Sequence, residues 1–224
     1  MNLVQTLLKN NMIIAIDGTA ASGKGSLAKN LSKSLNLHHL DSGIFYRVLA
    51  YQAIKLKINN KIDLIELSNN LSINKIIEIK KLKSENLRST LISKKSSQIA
   101  PDKNIRKALV KLQREYVNQF LISHDGVVID GRDIGTIVFP NADFKFYLDA
   151  DIKIRAERRT QELIHLNYEV IYHDVLNDLI CRDKRDKNRI EGPLIIAKDA
   201  FYIDTGNKSE EFVLQKALKF IKSF

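Results

Sequence analysis

The feature that most constrains this chain is a glycine-punctuated turn, Gly18-Thr-Ala-Ala-Ser-Gly23-Lys24-Gly25-Ser26, set directly after the apolar, β-branched run 12–16. A short run of that composition reads as a buried strand. Leu27, Leu31 and Leu35 then recur at helical spacing and predict a helix from about Gly23 to Leu35. Strand, glycine turn and helix in that order form a cradle for phosphate. The glycines let the backbone turn tightly enough for several N–H groups to face one anion, and the helix adds its positive end. Gly18, Thr19, Ala20, Ala21, Ser22, Gly23, Lys24, Gly25 and Ser26 are therefore candidate nucleotide-binding residues, with Lys24 reaching the outer phosphates. A chance glycine turn would not need both flanking elements.

The rest of the chain alternates in the same way. Strands are expected at 127–129, 144–148 and 201–203, and helices at 44–56, 105–122, 152–164, 174–185 and 210–221. Such alternation belongs to a parallel sheet covered on both faces. The stretch from Ile58 to Asn86 is the least regular and reads as an insertion, with a possible strand at Ile76–Ile79. Asp41 and Ser42 look like an N-cap for the helix that follows.

Several charged clusters are ambiguous taken singly. Asp130 closes an apolar run where an acid would bind Mg²⁺ or its waters, together with the Ser26 hydroxyl; a strand-end turn residue is the plainer alternative. Asp130-Gly-Arg-Asp-Ile-Gly135 lies at the strand end where ligands of open α/β sheets bind. The run from Arg182 to Arg189 and the helix with Arg155, Arg158 and Arg159 would be salt-laced, solvated faces by default. Beside a phosphate loop they gain a use, since a triphosphate and a monophosphate together bring much negative charge, and arginine binds it bidentately.

Composition excludes more than it assigns. The formal charge of +10 comes from lysine scattered along the whole chain, so it is weak support for a nucleic-acid or membrane partner. A single cysteine, Cys181, rules out an intrachain disulfide and a multi-cysteine metal site. The five histidines show no metal-ligand spacing. With no apolar run long enough for a bilayer, a cytoplasmic protein is expected.

These motifs together resemble the bacterial cytidylate kinases. The resemblance rests on Ile-Asp-Gly-x5-Gly-Lys-Gly-Ser (16–26), Leu-Asp-Ser-Gly-x-x-Tyr-Arg (40–47), Ser-Gln-Ile-Ala (97–100) with Ile-Arg (105–106), and Asp-Gly-Arg-Asp-Ile-Gly-Thr-Ile-Val-Phe-Pro (130–140). It continues through Arg-Asp-Lys-Arg-Asp-Lys-Asn-Arg (182–189) and Ala-Phe-Tyr-Ile-Asp-Thr (200–205). Placing a glycine, Gly25, between the lysine and the hydroxyl is the form used by nucleoside-monophosphate kinases. Thr19 stands where the family often has proline, Ser26 replaces threonine, and the insertion is shorter than in longer members.

The resemblance implies a P-loop three-layer α/β sandwich over 12–224: a core of 12–57, 101–150 and 190–224, a monophosphate-binding insertion over about 58–100, a short helical lid over about 151–189, and a short extension at 1–11. It implies transfer of a phosphoryl group from ATP, with Mg²⁺, to CMP and dCMP. Ser42, Tyr46, Arg47, Arg132 and Arg189 are expected around the acceptor nucleotide and its phosphate. Ser97, Arg106 and Asp133 are expected to read cytosine, and Asp186 the ribose. Arg155, Arg158 or Arg159, with Arg182, are expected over the ATP phosphates, and Lys24, Arg132, Arg182 and Arg189 at the moving group. A monomer without nucleic-acid or membrane partners suffices. Two rivals remain at this point, a kinase that accepts UMP as well as CMP, and a basic ATPase stimulated by nucleic acid.

Overall fold

Strand and helix alternate as the periodicity requires. The computed structural model describes residues 11–83 and 86–224; apart from Asn11, the extension expected over 1–11 lies outside the described residues, as do two residues of the expected insertion. Strands β1 (Met12–Gly18), β2 (His38–Asp41), β3 (Gly126–Gly131), β4 (Phe144–Asp149) and β5 (Phe201–Asp204) form one parallel sheet in the order β2-β3-β1-β4-β5.

Side chains alternate across that sheet, and helices cover both faces. Ile14 and Ile16 of β1 join Val128, Phe146, Leu148 and Ile203 under α1 (Lys24–Leu35) and α9 (Glu210–Ile221), which supply Leu27, Leu31, Val213 and Ala217. Ala15 looks the other way with Leu40, Val127 and Ile129. There α2 (Gly43–Lys55) and α6 (Lys103–Leu121) supply Phe45, Leu49, Leu109 and Val117. The three layers are thus set by period-2 patterning in the strands and apolar stripes on the helices.

Register brings the chemistry to one edge. Ile16 pairs with Asp130, Asp17 with Gly131, and Asp41 with Asp130, so three adjacent strands end level. That is the carboxyl edge, where β1 gives way to the phosphate-binding loop.

Between α2 and α6 lie α3 (Lys61–Asn69), α4 (Ile73–Lys83), a 3₁₀ turn at Asn86–Arg88 and α5 (Thr90–Ile99). The strand expected at Ile76–Ile79 is instead the middle of α4. Ile76 and Ile79, three residues apart, both enter the core shared with α2, and a strand there would lie beside no sheet edge. Ser42 is a second correction. It precedes α2, but its side chain makes no cap; Oγ donates to the Asp130 carbonyl at 2.7 Å, and Asp41 Oδ1 accepts from the Gly43 N–H at 3.1 Å instead. Pro101 does stand at a helix entrance, where Asp102 caps α6 by accepting from the N–H groups of Asn104 and Ile105.

Helices α7 (Ile152–His165) and α8 (Tyr172–Asn188) pack on each other through Ala156, Leu163, Val175 and Leu179, a small cluster that also includes Ala20 of the phosphate-binding loop. Cys181 is exposed on α8. Among the described residues no helix is long and apolar enough to cross a membrane.

Candidate active site

The loop after β1 is held from its carbonyl side. The Thr19 carbonyl accepts from Lys24 Nζ at 3.2 Å, the Ala20 carbonyl from Arg155 Nη1 at 3.2 Å, and the Ser22 carbonyl from Thr205 Oγ1 at 2.8 Å. Thr19 Oγ1 donates to Asp149 Oδ1 at 2.6 Å. With those acceptors engaged, the donors of the loop remain to meet an anion. Gly18 lies at φ 156°, and a Cβ there would collide with the Leu148 carbonyl oxygen, so β4 presses directly on the loop. Helix α1 starts at Gly23 with no side-chain cap, leaving its first N–H groups for a phosphate.

The electrostatics of the site favour a polyanion. Burial, then the positive charge of Arg132 and Arg182, push the Lys24 ammonium down to about 7 against the pull of Asp130. Arg182 is itself pushed down to about 10 by burial and by Arg132. Cations crowded to that degree are stabilised by added negative charge. Asp130 is buried, with His39 Nε2 at 2.9 Å from Oδ1 and Oδ2 turned toward Gly25, 3.8 Å from where a Cβ would stand. A buried carboxylate turned toward the loop offers the hard oxygen donor that Mg²⁺ favours. Among the described residues no cluster of three or more His, Cys, Asp or Glu side chains is placed to hold a metal ion by itself.

A second centre lies next to this one. The Asp133 carboxylate is buried and ion-paired through Oδ2 to Arg106 Nη2, with Arg189 Nη2 at 3.5 Å from Oδ1. Arg106 also donates to the Ala100 carbonyl at 3.3 Å and lies 5.9 Å above the Tyr46 ring. Burial and the nearby Asp133 push the Tyr46 phenol up to about 12, so it stays protonated. Gly192, at φ 58°, is needed here because a Cβ would run into both Arg106 and Asp133. Arg132 Nε donates to Asp186 Oδ2 at 2.9 Å, and Arg182 and Arg189 lie 3.9 and 3.8 Å from the same carboxylate. Burial opposes ionisation of Asp186, but those three arginines outweigh it and hold its carboxyl below the usual range.

Buried polar atoms without a hydrogen-bond partner include Ser22 Oγ, Arg47 Nε, Ser97 Oγ, Arg182 Nε and Arg189 Nη2. Each such atom costs about 1–3 kcal/mol in a closed interior; these five lie on candidate site residues, where a polar ligand would satisfy them, while others, such as Gln52 Nε2 and Gln113 Oε1, lie on residues with no site role. Ser97, Arg159 and Arg182 also line one cleft between α5 and the α7–α8 pair.

The arginines of α7 divide. Arg155 is buried and donates to the Ala20 and Ala150 carbonyls, with Nη1 at 2.7 Å from Asp183 Oδ2. Arg158 donates to Thr205 Oγ1 and to the carbonyls of Thr205 and Gly206. Both guanidiniums, expected over phosphates, are engaged here by protein acceptors: Arg155 braces the loop directly at Ala20, and Arg158 through Thr205, whose hydroxyl bonds the Ser22 carbonyl. Arg159 faces the cleft, bonded to Glu162 at 2.7 Å and to the Arg88 carbonyl at 2.8 Å.

Arg88, Asp41, His39 and Asp17 were given no site role by the sequence. Arg88 binds Glu162 at 2.9 Å and approaches Asp41 at 3.6 Å, where Arg47 binds the same carboxylate at 2.6 Å. Burial would raise the Asp41 carboxyl, but Arg47 and Arg88 outweigh it and hold it at about 2. His39 steadies Asp130. Asp17, at the end of β1, accepts from the N–H groups of Ile134 and Gly135 at 2.8 Å each. Only tertiary contact reveals these roles.

Comparison with known proteins identifies the family. A family profile described as "Cytidylate kinase" matches residues 14–223. A Clostridioides difficile protein named "Cytidylate kinase" is 36% identical over 214 residues, covering 93% of this chain and 97% of that protein. One of the same name from Bartonella tribocorum is 41% identical over 209 residues, covering 93% of this chain and 94% of its own. Among solved structures, an uncharacterized protein from Eubacterium ventriosum aligns with a TM-score of 0.55 at 16% identity, over 96% of this chain and all 100% of its own. The protein TT1252 from Thermus thermophilus aligns with a TM-score of 0.51 at 17% identity, over 96% of this chain and 98% of its own. At those identities the structural likeness speaks for the fold, which is shared.

Proposed function

The chain belongs to the cytidylate kinase family and is a phosphotransferase acting on CMP, and we propose that ATP is the donor, that Mg²⁺ assists, and that dCMP is accepted as well. The observation that carries this reading is the convergence of Lys24, Arg132, Arg182 and Arg189 on the acids Asp130, Asp133 and Asp186 at one sheet edge. Two anion sites side by side are what a donor triphosphate and an acceptor monophosphate require.

The attacking atom is a phosphate oxygen of CMP, already anionic, so no general base is needed. It forms the new P–O bond as the bond to the ADP oxygen breaks, and the electron pair leaves on ADP. Lys24 and the arginines neutralise the moving charge and hold donor and acceptor in line. Asp130 and Ser26 would hold Mg²⁺ by way of water, and the ion would supply positive charge against the donor phosphates. Asp133 accepts from the 4-amino group of cytosine, which uracil lacks, with Ser97 and Arg106 beside it. Asp186 is assigned to the ribose hydroxyls, and Ser42, Tyr46, Arg47, Arg132 and Arg189 to the acceptor and its phosphate.

The parts then divide as a core over 12–57, 101–150 and 190–224, an acceptor-binding insertion over about 58–100 and a lid over about 151–189. Arg88 meets Glu162 and Arg159 where insertion and lid come together, and closure of the two parts excludes water that would otherwise hydrolyse ATP. We place the enzyme in the cytoplasm, working as a monomer. A coupled assay of ADP release over CMP, dCMP, UMP and AMP tests the function. Turnover with CMP and dCMP well above UMP is expected; equal rates with UMP would replace the reading by a broader pyrimidine kinase. ADP release stimulated by RNA but indifferent to CMP would sink it.

A further inference from the structure

The chemistry above makes no use of one buried carboxylate. Asp17 is only 4% exposed and forms no hydrogen bond or ion pair with a cationic side chain among the described residues. Its partners are backbone groups. Oδ1 accepts from the Ile134 N–H at 2.8 Å, and Oδ2 from the Gly135 N–H at 2.8 Å. Those two amides open a single wide π-helical turn, Ile134–Val138, that begins immediately after Asp133 and closes with Val138 N–H on the Asp133 carbonyl at 3.1 Å. The first N–H groups of a helical turn have no partner within it, so something outside must accept from them. Here the acceptor comes from another strand, and from the residue that enters the phosphate-binding loop.

We propose that Asp17 is a positioning residue for acceptor selection: seated at the junction of β1 and the donor loop, its carboxylate clamps the turn that directly follows Arg132 and Asp133. This rests on the reading of Asp133 as the group that recognises cytosine. The clamp fixes Asp133 along the sheet, while Arg106 and Arg189 fix its carboxylate from the side. The donor site and the base reader then share one joint at the Asp17–Gly131 pairing.

A carboxylate serves this role where its neutral relatives do not. It presents two acceptors and no donor, matching two N–H groups one to one. An asparagine would accept one bond and turn its own NH₂ against the other N–H. A buried carboxylate without a direct ion pair is unfavourable for stability, so its place here is explained by the two N–H groups it meets.

Asp17→Asn and Asp133→Ala, assayed beside the wild type with CMP and UMP, test the proposal. With Asp17→Asn the ratio of kcat/KM for CMP over UMP is expected to fall about five-fold, the low end for one base-edge contact, chiefly through a higher KM for CMP. The KM for ATP should stay within about twofold, since the loop keeps its own supports. Hydrogen exchange at the Ile134 and Gly135 amides, slow in the wild type, should quicken in the variant, a readout independent of turnover. Fast exchange at both amides in the wild type would itself remove the clamp without any variant. A CMP/UMP ratio unchanged by Asp17→Asn but lowered by Asp133→Ala overturns the role of Asp17 and leaves the base reader standing. A ratio untouched by Asp133→Ala overturns the base-reading assignment and acceptor selection by Asp17 with it.

Discussion

Replacing Asp17 with asparagine keeps the size of the side chain and removes its charge, and the stability change that follows is calculable. Burial, with help from the like charge of Asp133, raises the Asp17 carboxyl from 3.8 to about 6, although Arg132 and the two N–H groups pull it down. The native state therefore binds a proton more readily than the unfolded chain. Above about pH 6 both states are ionised and the fold carries the full cost of the buried charge, about 3 kcal/mol at 1.36 kcal/mol per decade. Below 3.8 both are protonated and the cost is gone. Relative to Asp17→Asn, the wild type gains roughly 1.5 kcal/mol between about pH 8 and about pH 5, and most of the remainder near pH 4.

Other carboxyls work in the opposite direction. Asp41, Asp102, Glu162, Asp186 and Asp199 are held low and lose stability as they protonate, but they do so in both proteins and cancel in the difference. The groups that face Asp17 are Asp133, Arg132 and Tyr147, and the substitution keeps all three. Urea unfolding followed by circular dichroism suits a chain with no tryptophan. A stability difference between variant and wild type that stays constant from about pH 8 to about pH 5 would refute the assignment of a raised carboxyl at this position.

Other substitutions report on the remaining parts. Lys24→Ala should lower turnover at least about 100-fold without unfolding the chain; near-normal activity would remove the loop lysine from catalysis. Asp133→Ala should cost ~1–3 kcal/mol of discrimination between CMP and UMP, read as the ratio of their kcat/KM values. Arg155→Met strips Asp183 of its 2.7 Å partner and the Ala20 carbonyl of its donor, so urea melts should show about 3–5 kcal/mol lost, together with weaker ATP binding. EDTA should stop transfer and leave the far-ultraviolet spectrum intact, because among the described residues no protein-only metal cage contributes to folding.

What sequence disclosed was mostly local. The β1–loop–α1 unit occupies consecutive residues, and its glycines, lysine and leucine stripe each carry their own signal. The strands at 127–129 and 144–148 were legible because buried parallel strands are nearly continuous apolar runs. The segment Ile76–Ile79 misled because β-branched residues favour strands, whereas burial against α2 decided for a helix. Ser42 misled because a serine before a helix fits a cap, while its hydroxyl is claimed by a strand brought near only in the fold.

The site followed the same division. Arg132, Asp133, Arg182 and Arg189 stood out by composition and resemblance. That Arg155 and Arg158 brace the loop is settled by carbonyls distant in sequence, which no spacing encodes. Asp17 reads as an ordinary strand-end acid until the turn at Ile134 is set against it. Arg88 lay just past the segment with the weakest pattern, and Asp41 and Glu162 give it meaning only from β2 and α7.

The lone thiol on α8 has a practical consequence. Cys181 is exposed, belongs to the helix that carries Arg182 and Asp186, and has no second cysteine anywhere in the chain to compete with it. A maleimide dye will therefore mark one position without any prior mutagenesis. Its emission, followed while ATP and CMP are added in either order, turns the natural protein into its own reporter of which nucleotide moves that helix.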